Sequence, residues 1–150
     1  MAIMCNNEFI INKLRNFVSK TSGIVYAFIS GSLAEGKSNP RDVDLTIVVK
    51  DWNLFHQCMN KCGEFENLRK IEQEIQKPID LHCCVINEVI NFLTNYFTYR
   101  ELAFVNTVAN DVIWASYVYL DILNKKGGEK FYKLAQLRVP IRRKYILLKW

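Results

Sequence analysis

The stretch "FISGSLAEGKSNPRDVDLTIVV", residues 28–49, joins two apolar runs through a short polar connection. Gly31 and Ser32 end the first run, and nine residues separate Ser32 from Asp42-Val43-Asp44, which opens the second run. Both runs are short and rich in β-branched and aromatic residues, which is typical of buried strands. This connection therefore predicts a strand, a tight Gly-Ser turn and a second strand that begins at paired carboxylates.

The patterns outside this stretch predict a mixed α/β (α+β) chain. A first helix capped by Asn6 or Asn7 is expected to reach about Lys20, with one apolar face. Residues 111–116 fit either a short strand or a buried connection. The other expected elements are strands at 24–30, 43–49 and 78–86, one helical turn closed by Gly36, a long helix over 54–75, and helix over about 87–110 with a break near 94–98.

Composition and charge place the chain among soluble globular proteins. Half of the 150 residues are hydrophobic and 23% are charged, which suits one domain with a real core. The most apolar window, 103–123, is interrupted by Asn and Asp residues, and the first residues lack the features of a signal peptide, so we expect no membrane span. Five cysteines are too few for a disulfide scaffold and favour reduced thiols in the cytoplasm.

The positive charge is concentrated at the C-terminal end. Residues 125–150 contain nine Lys and Arg against one acid, a net charge of +8, whereas the remaining residues hold eleven bases and fourteen acids. We predict a domain over residues 1–124 and a basic, helical C-terminal extension over 125–150. Such an extension suits RNA, nucleotide phosphates or an acidic protein, and it equally suits a solvated helix face.

The carboxylates predict a metal site. Side chains at i and i+2 of a strand point to the same side, so Asp42 and Asp44 project together. Asp80 near the start of the third strand adds a third oxygen ligand if that strand lies beside the second. Hard oxygen ligands favour Mg²⁺ or Mn²⁺, and three carboxylates suit metal-assisted chemistry on phosphates. His82 shares a strand face with Asp80 and is expected either to line the same cleft or to pack as a neutral side chain.

The Gly-Ser turn predicts the complementary phosphate site. Gly31 allows close approach of a phosphate to the backbone, and Ser32 offers a hydroxyl. Lys37 and Arg41 in the following loop can reach phosphate oxygens. A zinc site built from the His and Cys residues near 56–62 and 82–84 is the weaker alternative, because their spacing matches no familiar motif.

Taken together, these motifs resemble the nucleotidyltransferase superfamily that includes DNA polymerase beta, and most closely its minimal nucleotidyltransferase (MNT) family. The family's Gly-Ser and Asp-x-Asp signature stands here as Gly31-Ser32 and Asp42-Val43-Asp44, and its G-S-x-A-x-G continuation as "GSLAEG". The likeness covers roughly residues 25–86. Minimal members often carry arginines where this chain has Leu33 and Glu35.

The resemblance implies a small mixed sheet with helices mainly on one side. It implies that Asp42 and Asp44 hold two Mg²⁺ or Mn²⁺ ions, that Asp80 joins them and accepts the proton of the attacking hydroxyl, and that Ser32 contacts the terminal phosphates. The implied reaction is transfer of an NMP from an NTP, with ATP favoured, to an acceptor hydroxyl, with release of pyrophosphate.

The acceptor stays open. Many minimal members are antitoxins that modify a tyrosine of a helical HEPN-type toxin, which makes a HEPN-type protein the expected partner. The alternatives are the 3′ end of tRNA or another RNA, a small-molecule antibiotic, or a catalytically inactive binding module in which Glu35 weakens the triphosphate site.

Overall fold

The computed structural model of the chain describes residues 6–94, 107–125 and 144–150. These residues belong to two compact units. The first unit holds residues 6–85 together with 144–150, and the second holds the described residues between 86 and 125. All of the predicted site residues lie in the first unit.

Among the described residues, the first unit is built on a mixed sheet of four strands in the order β3-β2-β1-β4. The strands are β1 (Ile24–Ser30), β2 (Val43–Val49), β3 (Ile79–Val85) and β4 (Ile146–Lys149). β1 is antiparallel to β2 and to β4, whereas β2 and β3 are parallel. The first three strands lie where the sequence predicted them, and the mixed sheet confirms the predicted fold class.

Helices of the first unit pack against one face of this sheet. They are α1 (Asn7–Lys20), α3 (Trp52–Asn60) and α4 (Asn67–Ile75), while α2 (Gly31–Ala34) is the short turn between β1 and β2. Alternate strand residues face these helices, as the pleat requires. The resulting core contains Ile10, Leu14, Phe17, Val18, Ile24, Ala27, Ile29, Leu33, Val43, Leu45, Ile47, Val49, Leu54, Cys58, Phe65, Leu68, Ile71, Ile75, Ile79, Cys83, Val85 and Leu148.

The first helix forms for the reasons that the sequence indicated. Asn6 is its N-cap, and its Oδ1 accepts a hydrogen bond of 2.8 Å from the backbone N–H of Phe9. Such a cap satisfies one of the N–H groups that a helix start leaves without a partner. The predicted apolar face is the buried face, formed by Ile10, Leu14, Phe17 and Val18.

The prediction of one continuous helix over 54–75 is wrong, because the chain breaks between α3 and α4. Lys61 ends α3 in the left-handed region with a φ of +49°, and Gly63 follows with a φ of +55°. The backbone N–H of Lys61 donates to the carbonyl of Cys58, which closes the helix end. The turn carries the Lys61 ammonium back to Glu72 of α4, with Nζ 2.6 Å from Oε1.

Part of the basic C-terminal segment is a strand. β4 pairs antiparallel with β1, so the prediction of a helical tail is wrong for Ile146–Lys149. Lys149 Nζ donates to the carbonyl of Thr21 at 3.0 Å, and Arg15 donates to the carbonyl of Leu147 at 3.3 Å. β4 therefore covers the edge of β1 that would otherwise present unpaired backbone groups.

The second unit is helical in its described part. It consists of α5 (Ile86–Thr94) and α6 (Thr107–Lys125), and the rings of Phe92 and Tyr117 meet edge to face at 6.5 Å. Residues 111–116 lie inside α6, so neither predicted form, a short strand or a buried connection, occurs. A short apolar run has no periodicity that separates strand from buried helix.

Some predictions fall outside the described residues. These are most of the break expected near 94–98 and the part of the basic extension between 126 and 143. The division of the chain at residue 124 therefore stays a prediction.

Candidate active site

The turn after β1 depends on glycine. α2 begins directly after Ser30, and Gly31 has a φ of +72°, in the left-handed region that glycine adopts without strain. Ser32 lies half-buried in the single turn of α2, and its carbonyl accepts a hydrogen bond of 3.0 Å from the N–H of Lys37. The turn closes at Gly36, which also has a positive φ of +91°. The predicted strand–turn–loop order is confirmed.

Gly31 is needed for a second reason, which is the position of Asp44. Ser30 and Asp44 are opposite each other in the β1–β2 register, so the turn and the carboxylate are neighbours. A Cβ atom added to Gly31 would overlap Oδ2 of Asp44 and lie 3.0 Å from its Cγ. The absence of a side chain at Gly31 therefore leaves the space that the Asp44 carboxylate of the Asp-x-Asp motif occupies.

The parallel pairing of β2 and β3 brings Asp44 and Asp80 side by side. The two residues are direct partners in the register, and the backbone N–H of Val43 donates to the carbonyl of Pro78 at 3.0 Å just before it. Val43 belongs to the core, so the two carboxylates lie on the opposite face of the sheet. The expectation that the third strand lies beside the second is confirmed.

His82 joins these two carboxylates. Within the described ranges, the group of His, Cys, Asp and Glu side chains whose ligand atoms converge consists of Asp44, Asp80 and His82, with one atom of each within 4.8 Å of the others. His82 Nε2 lies 3.5 Å from Asp80 Oδ2. The sequence placed His82 on the right face but did not predict it as a ligand.

Asp42 is near this group without belonging to it. It is half-buried and immediately precedes the first residue of β2. Its charge acts on Asp44, but its oxygens are not among the three converging ligand atoms. Of the three carboxylates predicted to bind metal, the structure brings Asp44 and Asp80 together and places Asp42 beside them.

Burial and the neighbouring carboxylates perturb the pKa of Asp44. Burial is the largest cause and raises the pKa of Asp44 above its ordinary value. A hydrogen bond with Asp80 and the negative charges of Asp42 and Asp80 raise this pKa further, while His82 opposes them. The repulsion between these neighbouring carboxylates decreases when a cation lies between their oxygens.

The loop that carries Lys37 and Arg41 is held at both ends. Asn7 Nδ2 donates to the carbonyl of Lys37 at 2.8 Å. Lys77 Nζ, just before β3, donates to Asn39 Oδ1 at 2.8 Å and to the carbonyl at position 40 at 2.7 Å. Both basic side chains of the loop are exposed. The contact of Lys37 and Arg41 with phosphate stays a prediction.

The two positions where minimal members often carry arginine have different environments. Leu33 is 3% exposed and belongs to the core, so this position packs the short turn against the sheet. Glu35 is exposed, and its N–H donates to the carbonyl of Gly31 at 3.1 Å. The leucine therefore has a structural role that an exposed phosphate ligand would not share.

Glu72 holds the start of β3 and was not singled out from the sequence. One carboxylate oxygen accepts from Lys61 Nζ at 2.6 Å, and the other accepts from the backbone N–H of Ile79 at 3.0 Å. Burial opposes these hydrogen bonds, yet together with Arg69 they keep the pKa of Glu72 below its ordinary value. Glu72 thereby anchors the strand one residue before Asp80, and no spacing in the sequence indicates this contact.

Comparison with known proteins identifies the class. The family model described as "Polymerase beta, Nucleotidyltransferase" matches residues 12–105, which is more than half of the chain. The chain therefore belongs to this nucleotidyltransferase family. A search of curated proteins and a search of solved structures found no match.

The matched region contains β1, α2, β2 and β3, and hence the whole Asp44–Asp80–His82 group. Family membership agrees with the mixed sheet and supports a nucleotide as the substrate class. Within the described residues, we find no helix with the length and hydrophobicity that a membrane crossing requires.

Proposed function

We propose that the protein is a metal-dependent nucleotidyltransferase that moves an NMP, with AMP favoured, from an NTP to a hydroxyl group of a protein partner. The observation that carries this proposal is the convergence of Asp44 and Asp80 next to the Gly31 turn. Convergent carboxylates on one face, beside a Gly-Ser turn, suit the two ends of a metal-bound triphosphate.

The donor set fits the divalent ion that the family implies. Two carboxylates and an imidazole converge, and the glycine at position 31 leaves the space that the Asp44 carboxylate occupies. Asp44 and Asp80 would hold the ion, and the negative charge of Asp42 acts on the same site. A bound Mg²⁺ or Mn²⁺ supplies Lewis-acid stabilisation of charge on phosphate oxygens.

We assign the remaining roles from the exposure and position of each side chain. The Asp80 side chain is 54% exposed, so an acceptor hydroxyl can reach it and transfer its proton there. Ser32 offers its hydroxyl to the terminal phosphates from the turn beside Asp44. Lys37 and Arg41 are exposed on a loop that two hydrogen-bonded anchors hold, which suits binding of the leaving pyrophosphate.

A HEPN-type protein is the acceptor that we favour, with a tyrosine hydroxyl as the attacking group. This part of the proposal rests on the likeness of the Gly-Ser and Asp-x-Asp motif to minimal nucleotidyltransferases.

The test is transfer of labelled nucleotide. The protein is incubated with each α-labelled NTP, Mg²⁺ or Mn²⁺, and candidate acceptors. We expect label transfer that Asp44→Asn and Asp80→Asn each reduce by at least about 100-fold, since positioning supplies most of the catalysis. Asp51→Asn is the matched control, because Asp51 caps α3 through the N–H of Leu54 and asparagine caps equally well. Equal transfer by Asp44→Asn and Asp51→Asn would disprove the proposal.

An RNA acceptor is the second candidate, and the nine bases of residues 125–150 favour it. Truncation is a poor test because it removes β4. Replacement of Arg138, Arg142 and Arg143 by glutamine keeps the strand and reduces the charge. Steeply salt-dependent RNA binding that weakens in this variant supports RNA, and flat salt dependence argues against it.

An inactive binding module is the third candidate. Calorimetry with Mg²⁺ and each NTP separates it from an enzyme, because heat that requires both components indicates a functional triphosphate site. Absence of that heat would favour the module.

A further inference from the structure

His82 is placed to do more than line the cleft. It lies two residues after Asp80 on β3 and therefore points to the same face of the sheet. Its partner in the β2–β3 register is Thr46, two residues after Asp44. The imidazole therefore lies on the same face of the sheet as the two carboxylates, one step further along the strands. A third ligand of the same ion would lie in that position.

The distances in this group are close to those between ligand atoms on a single ion. Ligand atoms bound to one divalent ion at about 2.1 Å are roughly 3.0–4.2 Å apart, depending on the angle at the metal. His82 Nε2 and Asp80 Oδ2 are 3.5 Å apart, and all three donor atoms lie within 4.8 Å of one another. Small side-chain rotations therefore suffice for all three residues to reach one ion.

We propose that His82 is a nitrogen ligand of the divalent ion at this site, and that it makes the site select Mn²⁺ over Mg²⁺. The inference rests on the proposed function only for the presence of a divalent ion. Mg²⁺ prefers an all-oxygen shell and releases its waters reluctantly. Mn²⁺ accepts carboxylate oxygens as readily as Mg²⁺ does and, as a transition ion, binds imidazole better. An O₂N donor set therefore discriminates where three carboxylates would not.

The position of Asp42 supports this assignment. A site built from Asp42, Asp44 and Asp80 would be all-carboxylate, but the oxygens of Asp42 are not in the converging group. The nitrogen of His82 takes the third place instead. A different role for His82 would be to orient Asp80 through their 3.5 Å contact without binding the ion.

The chain offers a matched control, since it contains two histidines, His56 and His82. His56 is exposed on α3 and lies against Phe55, with ring centroids 5.5 Å apart. His56→Gln therefore makes the same chemical change as His82→Gln away from the carboxylates. The protein is used as the full chain without a histidine tag.

The experiment is pulsed electron paramagnetic resonance of bound Mn²⁺ at one fixed, mildly alkaline pH. Wild type and His56→Gln are expected to show the modulation of a directly bound imidazole nitrogen, and His82→Gln is expected to lose it. Asp44→Asn shows whether the observed ion is the one at this site. Calorimetric titrations should give at least about a tenfold loss of Mn²⁺ affinity in His82→Gln, with a much smaller change for Mg²⁺.

Several results would overturn the assignment. They are a wild-type spectrum without nitrogen modulation, modulation that survives in His82→Gln, and equal losses of Mn²⁺ and Mg²⁺ affinity. His82→Asn is the second variant, should glutamine disturb the strand, and thermal unfolding of each variant checks the fold. Nucleotide transfer that requires Asp44 without nitrogen modulation would remove this inference and leave the proposed function standing. Nitrogen modulation without any nucleotide transfer would support His82 as a ligand and contradict the proposed function.

Discussion

Replacement of Gly31 by alanine should separate the backbone role of this glycine from its role beside Asp44. Gly31 has a φ of +72°, and an alanine in the left-handed region costs about 1–2 kcal/mol. The new Cβ would also overlap Oδ2 of Asp44. That oxygen ends a flexible side chain, so rotation of Asp44 relieves the overlap at little cost in stability. The rotation changes the position of the Asp44 carboxylate relative to Asp80, its partner in the β2–β3 register.

Gly36→Ala is the matched control for this change. Gly36 has a φ of +91°, and no heavy atom outside its chain neighbours lies within 4 Å of a Cβ added there. Both variants should therefore lose about 1–2 kcal/mol of unfolding free energy. For a chain of this length, that loss corresponds to a fall in Tm of roughly 2–8 °C.

The two variants should differ in activity. A displacement of about 1 Å in a catalytic group can reduce rate by about 100-fold, so Gly31→Ala should transfer nucleotide at least that much more slowly than Gly36→Ala. The assays are label transfer from NTP and calorimetric titration with Mn²⁺, alongside urea unfolding. If the two variants have the same transfer rate and the same Mn²⁺ affinity, the close approach of Gly31 and Asp44 does not matter for function.

Three further variants test the packing and positioning around the site. Glu72→Gln should reduce the unfolding free energy by about 1–2 kcal/mol. Because folding lowers the pKa of Glu72, the difference from wild type should have its maximum value above about pH 4.5 and decrease at lower pH. Urea unfolding at several pH values measures it. Lys77→Met should raise the KM for NTP more than it lowers kcat, because its two hydrogen bonds hold the loop of Lys37 and Arg41; an unchanged KM would refute that role. Phe65→Ala should cost about 3–5 kcal/mol, since this ring is fully buried; a loss below 1 kcal/mol by urea unfolding would contradict the packing.

Local patterns in the sequence were sufficient for the first three strands. The runs at 24–30, 43–49 and 78–86 have strand composition, and the structure contains a strand at each of them. The long helix over 54–75 was wrong because its apolar period continues across Lys61 and Gly63, where the backbone turns left-handed. The apolar period shows which side of a helix is buried. Because α3 and α4 bury their apolar sides against the same face of the sheet, the period does not reveal the break between them.

The candidate site shows the same limit. Two of its predicted residues, Asp44 and Asp80, converge because β2 and β3 pair in register. The sequence placed His82 on the correct face through the period of two, but that period does not say which side chains of a neighbouring strand lie opposite. Glu72 contacts the start of β3, and Lys77 contacts the loop before β2. Neither contact had a sequence signal, because each joins segments that only the folded chain brings together.

By itself, the sequence determined the strand–turn–strand unit around Gly31 and the family to which it belongs. A positive φ and the alternation of side chains along a strand depend only on residues that are close together in the sequence, so a short stretch of sequence is enough to predict them. Only the tertiary structure decided that His82 rather than Asp42 completes the converging group, and that β4 pairs with β1 from the far end of the chain. Register between strands distant in sequence depends on the packing of the whole core, and no local pattern contains it.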